Sequence, residues 1–147
     1  MFKFRHLIVV PAAALLVLAA CGGDPGAGKA TGGGAARTVE IKALDTLRFE
    51  PASITAQAGE KIRFVVTNVG KVAHEFVLGD EQTQMAHEEQ STSGMDHMAM
   101  EAMASVALMA GETNEVTVTF DERATIPFGC HEPGHYPGGM MGTVVVS

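Results

Sequence analysis

The sequence predicts an all-β chain, folded as a two-sheet Greek-key β-sandwich with a long Met- and His-rich insertion. Two observations carry this. Short runs of alternating apolar and polar residues, rich in Val and Thr, recur from Thr38 to Val146 and are separated by Gly, Asn, Asp and Pro turn signals. The alternation then fails over one long stretch, Gly79 to Gly111. With 147 residues the chain is long enough for one domain with a real core and hardly for two.

Residues 1–20 read as a lipoprotein signal peptide. Phe2-Lys3-Phe4-Arg5-His6 is a basic start, and the apolar run Leu7 to Ala20 is too short for an ordinary membrane span. The run ends Leu18-Ala19-Ala20-Cys21, which resembles the bacterial lipobox cut just before the cysteine. Cys21 would then carry lipid and tether the protein to a membrane; the alternative is ordinary cleavage nearby with Cys21 free. Gly22 stands where the inner-membrane retention signal has Asp, which favours the outer membrane in a two-membrane cell. Residues 21–36, built from Gly, Ala, Lys, Asp, Pro and Thr, read as a flexible tether.

The folded domain is expected over 37–147. Val39 and Ile41 alternate with polar neighbours in a first strand. Leu47 to Pro51 reads as a connection with apolar anchors, and Ser53 to Ala56 as a short strand. Lys61 to Asn68 is the clearest strand, with Ile62, Phe64 and Val66 on one face. In His74 to Leu78, period two puts His74 on the face of Phe76 and Leu78, so its imidazole points inward. Within the insertion (79–111), Met95 to Met103 is a candidate helix and Ser105 to Met109 a returning strand. Val116, Val118 and Phe120 alternate inward. Thr125 to Cys130 follows, with Ile126, Phe128 and Cys130 on one face; Pro127, lacking an N–H, argues for an edge or irregular position there. Thr143 to Val146 is the last strand.

The chemistry concentrates in Phe128 to Gly142, where Cys130, His135 and Met140 stand five residues apart among prolines and glycines. Thiolate, imidazole and thioether are three ligand types of a blue-copper site, which needs one more His. The chain has two cysteines, and lipid on Cys21 would leave Cys130 without a disulfide partner. A lone thiol beside His and Met in an exported protein is then best explained as a metal ligand, against the alternative of an inert core cysteine. His74 is the candidate for the missing imidazole, the only one on a well-defined strand.

At this point the residues resemble the cupredoxins, the blue-copper β-sandwich family. The resemblance spans about Val39 to Val146. It rests on His74 on a strand followed by Cys130-x4-His135-x4-Met140 in the loop joining the last two strands. The segments around Asn68 to Gly79 and Pro133 to Gly142 look like a bacterial plastocyanin-like subgroup linked to copper tolerance. The resemblance implies one type 1 copper held by His74, Cys130, His135 and Met140, with Met141 as the alternative axial ligand, and His135 as the electron port. His131 reads either as an outward, solvated loop residue or as a ligand. Many family members carry Asn after the upstream His; here it is Glu75, which puts hydrogen bonding to the thiolate in doubt.

The insertion holds Met85, His87, Met95, His97, Met98, Met100, Met103 and Met109. Thioethers suit Cu(I), so Met85, His87, Met95, His97, Met98, Met100 and Met103 are a candidate secondary copper site; the alternative is an apolar Met flap over the sandwich. Two functions follow: an exported carrier of single electrons through Cu(II)/Cu(I) cycling, and a periplasmic or cell-surface protein that sequesters or buffers copper. A structural zinc module is disfavoured because Met is a poor zinc ligand. Paired His-x-His motifs, a Ser-His-Asp set and paired catalytic carboxylates do not stand out, so no enzyme and no organic substrate are expected. Without Lys3 and Arg5 of the leader, 8 basic side chains face 17 acidic ones, which argues against nucleic acid; a redox protein and the membrane are the expected partners.

Overall fold

In the computed structural model, which describes residues 35–93 and 102–147, nine strands form two sheets and one helix lies outside them. The strands are β1 (Arg37–Leu44), β2 (Arg48–Glu50), β3 (Ser53–Ala56), β4 (Glu60–Asn68), β5 (His74–Leu78), β6 (Ala104–Leu108), β7 (Thr113–Phe120), β8 (Ala124–Gly129) and β9 (Met141–Val146). Helix α1 (Glu81–Ser93) lies between β5 and β6. One sheet runs β2-β1-β4-β7 and the other β3-β9-β8-β5-β6, so the chain crosses repeatedly between sheets, as a Greek-key sandwich requires. The pairs β1–β4 and β3–β9 are parallel and the remaining neighbours antiparallel.

Alternation explains the inner faces. Ile62, Phe64 and Val66 of β4 are fully buried, with Lys61 exposed before them, Arg63 exposed between the first two and Val65 half-buried between the last two. Phe49, Phe64, Phe76, Phe120 and Phe128 meet across the sandwich, the Phe49–Phe128 and Phe49–Phe76 rings edge-on at 5.4 and 5.9 Å. Cys130 and Met140 close one end of this core. The end of β4, the start of β5, the end of β8 and the start of β9 all lie there, which gathers residues distant in sequence.

The structure refines three local expectations. Leu47 to Pro51 is more than a connection: Arg48–Glu50 forms β2, paired with Leu44 to Lys42 of β1, a strand too short to show a period. Of the two positions expected for Pro127, the irregular one holds and the edge does not: it lies on an interior strand, between β9 and β5. β5 ends at Leu78, paired with Phe128, so the ladder stops where Pro127 has no N–H to give; its carbonyl accepts from Gly79 N at 3.2 Å. Val77 is buried as well as Phe76 and Leu78, so β5 is covered on both faces.

Of the expected helix, Ala102 and Met103 are not helical and residues 95–101 lie outside the described residues, while the insertion carries a helix that the sequence reading did not expect, Glu81–Ser93. Asp80 starts it: its carboxylate accepts from Thr83 N and Thr83 Oγ1, both at 2.8 Å. The covered face of α1 is Gln84, His87, Glu88 and Ser91, the i, i+3, i+4, i+7 stripe of a helix but made of polar residues, which a test for apolar period cannot detect. The lipobox, Cys21 and nearly all of the tether also lie outside the described residues.

Phe49, on the briefest strand, touches both Phe76 and Phe128. Phe49→Ala should therefore destabilise the fold by roughly 3–5 kcal/mol, read as a lower denaturation midpoint with an unchanged m-value.

Candidate metal centre

Cys130 follows the last residue of β8 and Met140 precedes β9; the nine residues between them fold back on themselves. Cys130 N donates to Met140 O at 3.1 Å and Met140 N donates to His135 O at 3.0 Å, so the ends of the loop are tied together and to its middle. His135 N to Glu132 O (2.9 Å) and Gly139 N to Tyr136 O (2.9 Å) form the turns. Gly139, at φ 91°, occupies the left-handed region that makes the final reversal into Met140. From outside, Arg48 Nη1 donates to Gly138 O at 3.0 Å, so β2 pins the loop.

Three side chains converge at this end of the core. His74 Nδ1 is 3.9 Å and His135 Nδ1 3.3 Å from Cys130 Sγ, and the ligand atoms of all three lie within 4.8 Å of one another. The two imidazole rings are 5.1 Å apart. His74, Cys130 and Met140 are fully buried; His135 is half-buried. Met141, the alternative axial residue, is 42% exposed on the first position of β9, whereas Met140 points into the core. Met140 lies beside the trio through the backbone bonds above.

The thiol is held by the main chain. Glu75 N–H donates to Cys130 Sγ at 3.2 Å. The concern raised by Glu75 in place of Asn is thereby answered: the donor is the backbone, indifferent to the side chain, and the Glu75 carboxylate turns aside to accept from Ser105 Oγ. Burial pushes the Cys130 thiol up to about 11, against the pull of the Glu75 and Glu132 backbone N–H groups. Burial also holds His74 below its ordinary value, with His135 adding to the effect. Two imidazoles, a thiol that a soft cation can deprotonate and a thioether are the donor set that suits copper.

Sequence reasoning missed the supports. Asp45, in the turn after β1, accepts from Lys71 N at 2.9 Å and lies 3.6 Å from His74 Nε2, an electrostatic contact longer than a hydrogen bond. It bridges the loop before β5 to the buried imidazole. A Cβ on Gly70 would collide with that carboxylate, so Gly70 is needed for the approach. Asn68, fully buried, donates to Val72 O (2.7 Å) and Leu108 O (3.0 Å) and accepts from Gly70 N (2.9 Å), satisfying the same loop from inside.

His131 is neither solvated nor beside the trio. It is 2% exposed and packs under α1, with Nε2 2.9 Å from Gln84 Oε1, Nδ1 3.2 Å from Glu88 Oε2, and its ring stacked on Tyr136 at 4.6 Å. The signal for it would have been helix α1. Of the insertion residues, Met85 is exposed on α1 while His87 is buried against His131, so the structure does not bring these two together. Met103 and Met109 are exposed; Met95, His97, Met98 and Met100 lie outside the described residues.

The profile of the family described as copper binding proteins, plastocyanin/azurin family, matches residues 35–147. The copper-resistant cuproprotein CopI of Rubrivivax gelatinosus is 41% identical over 112 residues, covering 76% of this chain and 67% of that protein. The copper-resistant cuproprotein CopI of Pseudomonas aeruginosa is 34% identical over 140 residues, covering 76% and 77%. Among solved structures, auracyanin A, a "blue" copper protein from Chloroflexus aurantiacus, superposes with a TM-score of 0.67 at 26% identity, covering 77% of this chain and all of that one.

The buried thiol gives a pH test on the copper-free protein. The unfolded chain ionises Cys130 near 9.0 and the folded one near 11. The stabilisation is complete below about pH 9 and is lost as pH rises through 11, by on the order of 2 kcal/mol. On the acid side, His74 and His131 are held below 6.5 in the fold, so the unfolded chain takes up protons first and stability falls as pH drops below that value. Denaturation midpoints against pH should show both losses, with the alkaline one reduced in Cys130→Ala and the remainder due to Tyr136, whose hydroxyl burial also holds above its ordinary value.

Proposed function

Because the chain belongs to the plastocyanin/azurin family of copper binding proteins, we propose that it is an exported type 1 copper protein that carries single electrons. His74, Cys130 and His135 would hold the copper, with Met140 as the weaker fourth ligand. The observation that carries this reading is the convergence of the three ligand atoms within 4.8 Å at a buried, hydrogen-bonded end of the core. Copper there supplies the Cu(II)/Cu(I) couple. The chain supplies a frame that changes little on redox, because the loop is closed by backbone bonds at both ends and the thiolate is held by Glu75 N–H. His135, half-buried between exposed Pro133 and Pro137, offers the edge through which a redox protein partner exchanges the electron. The role is not enzymatic, and it needs neither nucleic acid nor an organic substrate.

A second reading, copper tolerance through sequestration or buffering, is compatible with the first. Two relatives, at 41% and 34% identity, bear the name copper-resistant cuproprotein. The Met- and His-bearing stretch from Met85 to Met103 has thioethers exposed at both ends, Met85 at 66% and Met103 at 46%, as a surface for capturing Cu(I) needs. The basic start, the apolar run and Leu18-Ala19-Ala20-Cys21 support export with lipid on Cys21, at the periplasmic or cell-surface side of a membrane, the outer one in a two-membrane cell.

One Cu(II) per chain should give an intense visible band that Cys130→Ala abolishes; a fully copper-loaded but colourless protein would overturn the electron-transfer reading. For the second reading, replacing Met95, Met98, Met100 and Met103 by Ser should lower Cu(I) stoichiometry and copper tolerance in cells while leaving the visible band intact. Unchanged tolerance and stoichiometry would remove the stretch from copper handling.

A further inference from the structure

The two nitrogens of the His74 ring have different surroundings. Nδ1 is 3.9 Å from Cys130 Sγ, on the side where the ligand atoms converge. Nε2 is buried and has no hydrogen-bond partner among the described residues. An orphaned ring nitrogen on a fully buried side chain is costly. Asp45 Oδ1 faces it at 3.6 Å. That carboxylate is fixed by main-chain donors of the loop before β5: Lys71 N–H lies 2.9 Å from each of its oxygens and Val72 N–H 3.3 Å from Oδ1. With 42% of its side chain exposed, Asp45 is an ordinary ionised carboxylate at neutral pH. Space is cleared for it as well. A Cβ on Gly70 would collide with Asp45 Oδ1, yet Gly70 is not among the glycines at positive φ. The glycine there serves the approach of the carboxylate and not the turning of the chain.

We propose that Asp45 is a positioning residue for the metal centre: it fixes the hydrogen of the His74 ring on Nε2, leaves the Nδ1 lone pair free for copper, and holds a negative charge behind that ligand. A neutral imidazole carries one ring hydrogen. An acceptor facing one nitrogen draws the hydrogen there and bares the other. On the opposite side Nδ1 meets only a sulfur at 3.9 Å, a long contact that competes poorly. A carboxylate behind a ligating histidine also orients the ring and makes it a stronger donor. The fixed negative charge favours Cu(II) over Cu(I), and so lowers the potential of the couple. Asp45 thus does more than tie down the loop before β5. The effect on the couple rests on the type 1 reading proposed above, whereas the state of the ring belongs to the copper-free chain.

The experiment compares the natural chain with Asp45→Asn, which keeps an acceptor at Oδ1 and removes the charge, and with Asp45→Ala, which removes both. In the copper-free protein, NMR of the imidazole nitrogens in mildly alkaline buffer, where imidazoles are neutral, should find the His74 hydrogen on Nε2. That N–H resonance should move upfield in Asp45→Asn and further in Asp45→Ala. After copper loading, Asp45→Asn should shift the balance of Cu(II) and Cu(I) binding towards Cu(I) by about threefold or more, a rise of about 28 mV in potential, with the visible band retained. A His74 hydrogen on Nδ1 in the natural chain overturns the proposal. So does a purely structural result, in which both variants melt lower while the Nε2–H resonance and the potential of Asp45→Asn stay at their natural values. A natural chain that binds copper without the visible band counts against the type 1 reading instead, and the copper-free measurement still decides whether Asp45 sets the ring.

Discussion

Glu75 N–H on Cys130 Sγ and Cys130 N–H on Met140 O tie β5, the end of β8 and the start of β9 to a single cysteine. The rest of the molecule is arranged so that these two bonds can form. The five-stranded sheet sets β8 between β5 and β9, and the phenylalanine cluster beneath fixes the spacing between the sheets. The loop then has only to bring His135 back over the thiol. A site prepared in this way loses little freedom when a metal arrives, since the main chain has already been ordered by the fold.

Much of this was legible in the sequence because a strand has a period of two and two faces. Parity alone put His74 with Phe76 and Leu78, and Cys130 with Phe128, and the structure turns all five inward. What parity could not supply was anything set by the partner strand or by polar packing. β2 is three residues long and exists because Leu44 to Lys42 offers it a ladder. Pro127 sits on an interior strand because its neighbour has already ended there. The thiolate's donor is a backbone N–H, which no side-chain pattern encodes. Asp45 reaches Lys71 in the 70s loop from 26 residues away, and His74 just beyond it, a pairing with no local trace.

Helix α1 was the largest omission, and its physical cause is instructive. Its buried stripe is Gln84, His87, Glu88 and Ser91. Burying such residues is costly unless they are partnered, and most of the partners are here: three backbone carbonyls for Gln84, and His131 for both Gln84 and Glu88. The helix covers Val77 and the β8 end of the sheet through polar contacts, where an apolar flap of methionines was the simpler expectation. The same contacts change His131 from a loop histidine into a core one.

Burial around the metal centre is uneven: His74, Cys130 and Met140 are sealed, and His135 alone reaches the surface. In the electron-carrier role proposed above, the centre would have one doorway for traffic of two kinds. An electron would need only the exposed edge of the ring, so a partner resting on His135 would exchange charge without moving the loop. An ion would need the ring to swing aside, against the turns that hold residues 132–140. Charge exchange and metal exchange would then take turns, on timescales set by ring contact for one and by loop opening for the other.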